Sequence, residues 1–142
     1  MKRVVILSLV LFLVDQLTKF LLYGREIPLF PYVSVHSVQN TGVIFGLFQG
    51  NNVLFIIISI AVLVLVWRYL QTYPVALSLL VAGTVGNIVD RIFFGYVRDF
   101  ISVSVWPVFN LADAYVSVAV ILLLYSFWRE DKAYKVRGSK ER

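Results

Sequence analysis

Four apolar runs dominate the chain: Val4–Tyr23, Val53–Leu70, Pro74–Phe93 and Leu111–Trp128. A helix needs ~20 mainly apolar residues to cross the hydrocarbon core of a bilayer, so each run is predicted to be a transmembrane helix. Four spans return both ends of the chain to one side. Two stretches between them follow another rhythm. From Glu26 to Asn40, Pro28 and Pro31 exclude a helix interior, and Tyr32–Val38 is rich in β-branched and aromatic residues at short alternation, which predicts one short strand. Val97–Val105 alternates at period two, with Asp99, Ile101 and Val103 on one face and Arg98, Phe100, Ser102 and Ser104 on the other, the serines toward solvent. Trp106-Pro107 is expected to end that strand. Val43–Phe48 is apolar but too short to cross, and its phenylalanines suit an interfacial segment at headgroup depth. The expected architecture is an all-α membrane protein of one domain, 1–142: four transmembrane helices, a small extracytoplasmic β-rich cradle in the outer loops 24–52 and 94–110, the interfacial segment, and a charged, mobile cytoplasmic tail, 129–142.

Composition supports the membrane reading. A chain of 142 residues that is 60% hydrophobic and 15% charged has more apolar surface than a soluble fold of that size can bury. Met1–Val14 starts like a signal peptide, with basic residues before an apolar run. No small-residue cleavage site follows, and Asp15 and Lys19 interrupt the run, so it reads as a retained first helix. Cysteine is absent, which removes disulfides, thiolate nucleophiles and Cys-ligated metals. The single histidine, His36, supports neither a zinc site nor a Ser-His pair and reads as an ordinary strand residue. Lys2, Arg3, Arg68 and the basic residues after Trp128 mark the cytoplasmic side, so both termini are expected there. The net charge of +5 gathers in the tail, where it favours anionic membrane lipid; no basic patch interleaved with aromatics suggests nucleic acid.

Ionisable residues near the hydrocarbon core are costly unless paired or wet, and are functional candidates by default. Three of the eight acidic residues, Asp90, Asp99 and Asp113, lie between or at the ends of the last two apolar runs. Asp15 and Lys19 share a stripe of the first helix in the favourable acid-to-base order, as a neutralising pair or as part of a site. Gly83, Asn87, Asp90 and Arg91 share a face of the third helix, where Ala82, Gly83 and Gly86 allow close helix approach. Asp90 has a structural reading, paired to an arginine. Asn40-Thr41-Gly42 is a turn signal. Asn110 precedes the fourth run as an N-cap would, with Asp113 at N3.

Several of these motifs, in this order on four spans, resemble one family. Asp15-Gln16-x-Thr18-Lys19, Asn40-x-Gly42-x-x-Phe45, Gly86-Asn87-x-x-Asp90-Arg91, Val97-x-Asp99-Phe100 and Phe109-Asn110-x-Ala112-Asp113 look like the lipoprotein signal peptidases, the type II signal peptidases of bacteria. Two departures stand out: Val43-Ile44 where the family commonly has two small residues, and Ala82-Gly83 where it usually has two glycines. The resemblance implies an inner-membrane aspartyl endopeptidase that removes the signal peptide from diacylglyceryl-modified prolipoproteins, cutting before the lipidated cysteine. It implies catalytic roles for Asp99 and Asp113, and supporting roles for Asp15, Lys19, Asn40, Asn87, Asp90, Arg91 and Asn110. The active site would lie near the extracytoplasmic face of a monomer.

A pair of nearby carboxylates shares a proton and titrates as a unit, the state needed for peptide hydrolysis without metal or cofactor. Which aspartate starts as the base is open, and so is a part for Asp90. A rival from another class is a small proton- or ion-coupled transporter relaying charge through Asp15, Asp90 and Asp113. It is weakened by the lack of an internal repeat and by the clustering of the acids toward one face.

Overall fold

The structure is a computed structural model and describes residues 1–42 and 51–140, the side chains of 136 and 138–140 excepted. The Phe45–Phe48 interfacial segment and the Val43-Ile44 departure lie outside the described residues. The elements in order are α1 (Lys2–Leu22), β1 (Ile27–Phe30), β2 (Val33–Asn40), α2 (Asn52–Val66), α3 (Pro74–Phe94), β3 (Val97–Val103), β4 (Trp106–Phe109) and α4 (Leu111–Lys140), with a 3-10 turn, Trp67–Tyr69, extending α2. Lys2–Leu22, Asn52–Tyr69, Pro74–Phe94 and Leu111–Lys135 are each long and apolar enough to cross a membrane. At the rise of an α-helix, the 21 residues of α1 and of α3 span ~31 Å, the thickness of a bilayer core. Their outward faces expose Val5, Ile6, Phe20, Val64, Leu65, Ile92 and Ile121, a surface suited to lipid rather than water.

α3 is the central helix and packs on each of the other three. Its small residues set the distances: a Cβ on Gly83 would run into the Ala112 carbonyl and Val116 of α4, and one on Gly86 would come within 2.5 Å of Asp15 Oδ2 on α1. The small-residue stripe thus brings in α4 at Gly83 and α1 at Gly86, as its spacing predicts. Farther from the polar residues, Leu77 and Leu80 of α3 pack with Ala119 of α4 inside a ring that includes Val62, Val66, Val116 and Leu123.

The four strands form one antiparallel sheet in the order β1-β2-β3-β4, at the end where α1 and α3 finish and α2 and α4 begin. Two of its strands differ from expectation. The sequence predicts a single strand between Glu26 and Asn40 and an end at Trp106-Pro107, yet Pro28 lies in β1 and Pro107 in β4. Both are edge strands, where a missing N–H breaks no ladder bond. β3 stops at Val103, and Ser104 occupies the turn to β4 at φ 43, its N–H donating to the Tyr32 carbonyl at 2.9 Å. The alternation expected for β3 also fails in burial: Asp99 and its neighbour Phe100 are both 1% exposed, because the helix ends cover both faces of this part of the strand.

The tail differs as well. Rather than ending near Trp128 in a mobile segment, α4 runs on to Lys140. Tyr73, just before α3, puts its ring edge-on against Phe127 and donates its hydroxyl to Glu130 at 3.0 Å, and Lys135 pairs with Asp131 one turn back at 2.6 Å.

Candidate active site

The polar residues singled out from sequence converge where α1, α3, the start of α4 and the inner strands meet. Asn110 is fully buried just before α4, and with Asp113 it closes a reciprocal cap. Its Oδ1 accepts from the Asp113 N–H at 3.0 Å, and Asp113 Oδ2 accepts from its N–H at 3.1 Å. That cap is the local reason the chain turns into α4 here. Its remaining capacity points into the site: Asn110 Nδ2 donates to Asp99 Oδ1 at 2.6 Å and to Asn87 Oδ1 at 3.3 Å.

Every oxygen of Asp99 and Asp113 has a donor. Asp99 Oδ2 accepts from Asn40 Nδ2 at 2.8 Å, while Gly42 N–H donates to Asn40 Oδ1 at 3.0 Å and holds that amide in place. Asp113 Oδ1 accepts from Asn87 Nδ2 at 2.8 Å. Three asparagines from three elements therefore hold two carboxylates. Burial pushes the Asp99 carboxyl up to about 7, and the nearby charge of Asp113 adds to the rise; the Asn40 and Asn110 amides and the Lys19 charge act against it.

Behind the asparagines lies a second polar cluster. Lys19 is fully buried, its Nζ 3.0 Å from Asp15 Oδ2, 3.3 Å from Asp90 Oδ2 and 3.1 Å from Asn87 Oδ1. Asp15 Oδ1 accepts the Ala112 backbone N–H at 2.9 Å, which ties the first turn of α4 to α1. The pair on α1 thus neutralises itself in the membrane and also touches the site. A buried ion cluster of this kind is tolerated only because each member is paired. Asp90 takes the arginine partner anticipated for it, Arg98, with Nη2 2.8 Å from Oδ1. Arg91 lies with its guanidinium 5.2 Å over the Phe55 ring and its Nη1 3.5 Å from the Asn87 carbonyl.

All nine sequence-selected residues fall in this one region. Two partners were missed. Gln16 and Arg98 join each other at 3.0 Å and bridge α1 to β3; Gln16 has a signal only as a member of the Asp15-Gln16-x-Thr18-Lys19 motif, and strand alternation puts Arg98 on the face away from Asp99. His36 pairs with Glu26 at 2.9 Å on the exposed sheet, as an ordinary strand residue would, and among the described residues no cluster of His, Asp and Glu forms a metal site.

A family model described as signal peptidase (SPase) II matches residues 7–129. The chain belongs to the signal peptidase II family. This peptidase is 36% identical over 141 residues to a lipoprotein signal peptidase of Halothermothrix orenii, covering 91% of this chain and 97% of that one. It is also 36% identical over 146 residues to that of Streptococcus pyogenes serotype M1, covering 92% and 96%. Two solved bacterial membrane enzymes share its fold. One has a TM-score of 0.84 at 27% identity and coverage of 92% and 90%, the other 0.79 at 28% identity and coverage of 89% and 93%. The membership makes the chain a bacterial multi-pass membrane peptidase and removes the ground for a transporter.

Proposed function

We propose that this protein is an aspartyl endopeptidase that removes signal peptides from diacylglyceryl-modified prolipoproteins, cutting just before the lipidated cysteine, with Asp99 and Asp113 as its catalytic residues. The observation that carries the reading is the asparagine bridge. Asn110 donates its side-chain amide to Asp99 Oδ1 and its backbone N–H to Asp113 Oδ2, so one buried residue meets both carboxylates. Such a pair keeps one proton between its members. The ionised member takes a proton from a water as that water attacks the scissile carbonyl, and the protonated member gives its proton to the carbonyl oxygen. On collapse the proton taken from water passes to the leaving nitrogen and the one on oxygen returns, which restores the one-proton pair. With one proton shared, the pair, Asp15 and Asp90 carry three negative charges and Lys19, Arg91 and Arg98 three positive ones, which keeps the buried site neutral.

In this reading Asn40, Asn87 and Asn110 orient the carboxylates, and Asp15, Lys19, Asp90 and Arg91 support them. The sheet forms an extracytoplasmic cradle for an extended substrate. The protein acts as a monomer and a single domain, in contact with membrane lipid. Lys2, Arg3, Arg68 and the basic end of α4 support an inner-membrane orientation with both termini on the cytoplasmic side and the site near the opposite face. The test is to incubate the purified protein in detergent with a prolipoprotein, with and without its diacylglyceryl group, and to weigh the products. A single cut before the modified cysteine, with no cut in the unmodified chain, is expected. Cleavage elsewhere, or equal cleavage of both chains, overturns the substrate assignment.

A further inference from the structure

β3 carries Asp99, and the residues around it have a strand on one side only. β4 pairs with β3 at Ile101 and Val103, while Val97, Arg98 and Asp99 pair with β2 alone, opposite Asn40, Gln39 and Val38, with no further strand beside them among the described residues. On the β2 side the register also shifts between Val35 and Val38, directly beside Asp99. A strand end held on one side, next to a break in register, is less firmly fixed in direction than one paired on both sides.

Asp90 of α3 takes the missing place. Its Oδ2 accepts the Arg98 backbone N–H at 2.9 Å, as a neighbouring strand's carbonyl would. The same carboxylate also holds the Arg98 side chain, with Nη2 2.8 Å from Oδ1 and Nε 3.4 Å from Oδ2. Nη2 reaches on to Gln16 Oε1 of α1 at 3.0 Å. The guanidinium lies 4.3 Å from the Phe94 ring centroid and its side chain is only 11% exposed, so water competes little for these bonds. One residue thus ties its strand to two helices, through main chain and side chain together.

We propose that Arg98 is a positioning residue for the Asp99 carboxylate. This rests on the assignment of Asp99 above. With residue 98 held at its backbone and at its guanidinium, the next Cα has one orientation, and Asp99 meets the Asn40 and Asn110 amides at 2.8 and 2.6 Å. Lysine could not replace it fully: Nε and Nη2 hold the two Asp90 oxygens from two fixed positions while Nη2 also meets Gln16, and an ammonium has one nitrogen on a flexible stem.

The experiment compares kcat and KM for the full-length wild type, Arg98→Ala, Arg98→Lys, Gln16→Ala, the Gln16→Ala/Arg98→Ala double variant and Asp99→Asn. Detergent-purified protein is used at equal folded amounts, with a diacylglyceryl-modified prolipoprotein as substrate. Displacement of a reacting group by about 1 Å costs on the order of a hundredfold. Arg98→Ala is therefore expected to lower kcat by about tenfold to a hundredfold with KM within about twofold. Arg98→Lys should recover part of the loss, and the double variant should lose less than the two single losses combined, because Gln16 acts partly through the guanidinium and partly through its own bond to Asp15 Oδ2 at 3.0 Å. Wild-type kcat in Arg98→Ala, a change in KM alone, or strictly additive losses would overturn the proposal. If Arg98→Ala does not accumulate folded, Arg98→Lys decides: wild-type kcat is refutation, and a loss in kcat at constant KM is support. Asp99→Asn separates the two claims. If it cleaves normally, the Asp99 assignment falls and this inference with it; if it is inactive while the Arg98 variants are normal, only the inference falls.

Discussion

Replacing Asn110 by serine would separate the two things its side chain does. Its Oδ1 caps α4 through the Asp113 N–H at 3.0 Å, and its Nδ2 donates to Asp99 Oδ1 at 2.6 Å. Serine is an equally good N-cap but is too short to reach across to Asp99; alanine can do neither. The two variants should therefore differ in stability by the cap, ~1 kcal/mol, while sharing the same defect at Asp99. A hydrogen bond to a charged group is worth about 1.5–3 kcal/mol, and 1.36 kcal/mol corresponds to about one pKa unit, so loss of the donor raises the Asp99 pKa by about one to two units. The direction follows from the site, since the Asn110 amide stabilises the ionised carboxylate and pulls its pKa down from the value that burial sets. Starting from about 7, Asp99 is half ionised at neutral pH. After the change it would be roughly 1–10% ionised, so kcat at pH 7 falls about five- to fiftyfold and is regained as the pH rises toward about 9. Gel-shift cleavage at saturating substrate across this range, with thermal unfolding of both variants, measures each part. An Asn110→Ser enzyme whose acid limb coincides with that of the wild type would refute the link between this amide and the reacting pair.

Two further predictions concern the scaffold. Gly86→Ala places a Cβ 2.5 Å from Asp15 Oδ2, and the carboxylate must leave Lys19 or the Ala112 N–H to make room; a loss of about 1–3 kcal/mol in thermal unfolding is expected, with reduced cleavage. Lys19→Met leaves Asp15 and Asp90 facing each other without the buried ammonium between them. It should cost about 3–5 kcal/mol, seen as poor accumulation of folded protein in the membrane.

What could be read from sequence was what is set locally. The spans are contiguous apolar runs, and α1 and α3 begin and end within two residues of expectation. The cap at Asn110 and Asp113 is a four-residue pattern, and the face bearing Gly83, Asn87, Asp90 and Arg91 follows from helical periodicity. Non-local pairing was not legible. Pro28 falls outside the one strand expected before Asn40 and Pro107 reads as a strand end, because nothing in their neighbourhood says that β1 and β4 lie at the edges of a sheet. Arg98 was placed away from the site because alternation distinguishes two faces of a strand but cannot say that helices cover both. The continuation of α4 was hidden for a related reason: Tyr73, which holds its far end through Phe127 and Glu130, is more than fifty residues distant in the chain. Motif content singled out these polar residues, and only the fold shows that Asn87 joins Asp113 to the buried ion cluster through Lys19.

The most direct measurement is cleavage of a diacylglyceryl-modified prolipoprotein by the wild type, Asp99→Asn and Asp113→Asn at equal folded amounts in detergent. If the two carboxylates act as a pair, each substitution alone removes detectable product while the wild type cuts. Product from either variant at the wild-type rate would contradict the pair and return Asp90 to consideration as one of its members.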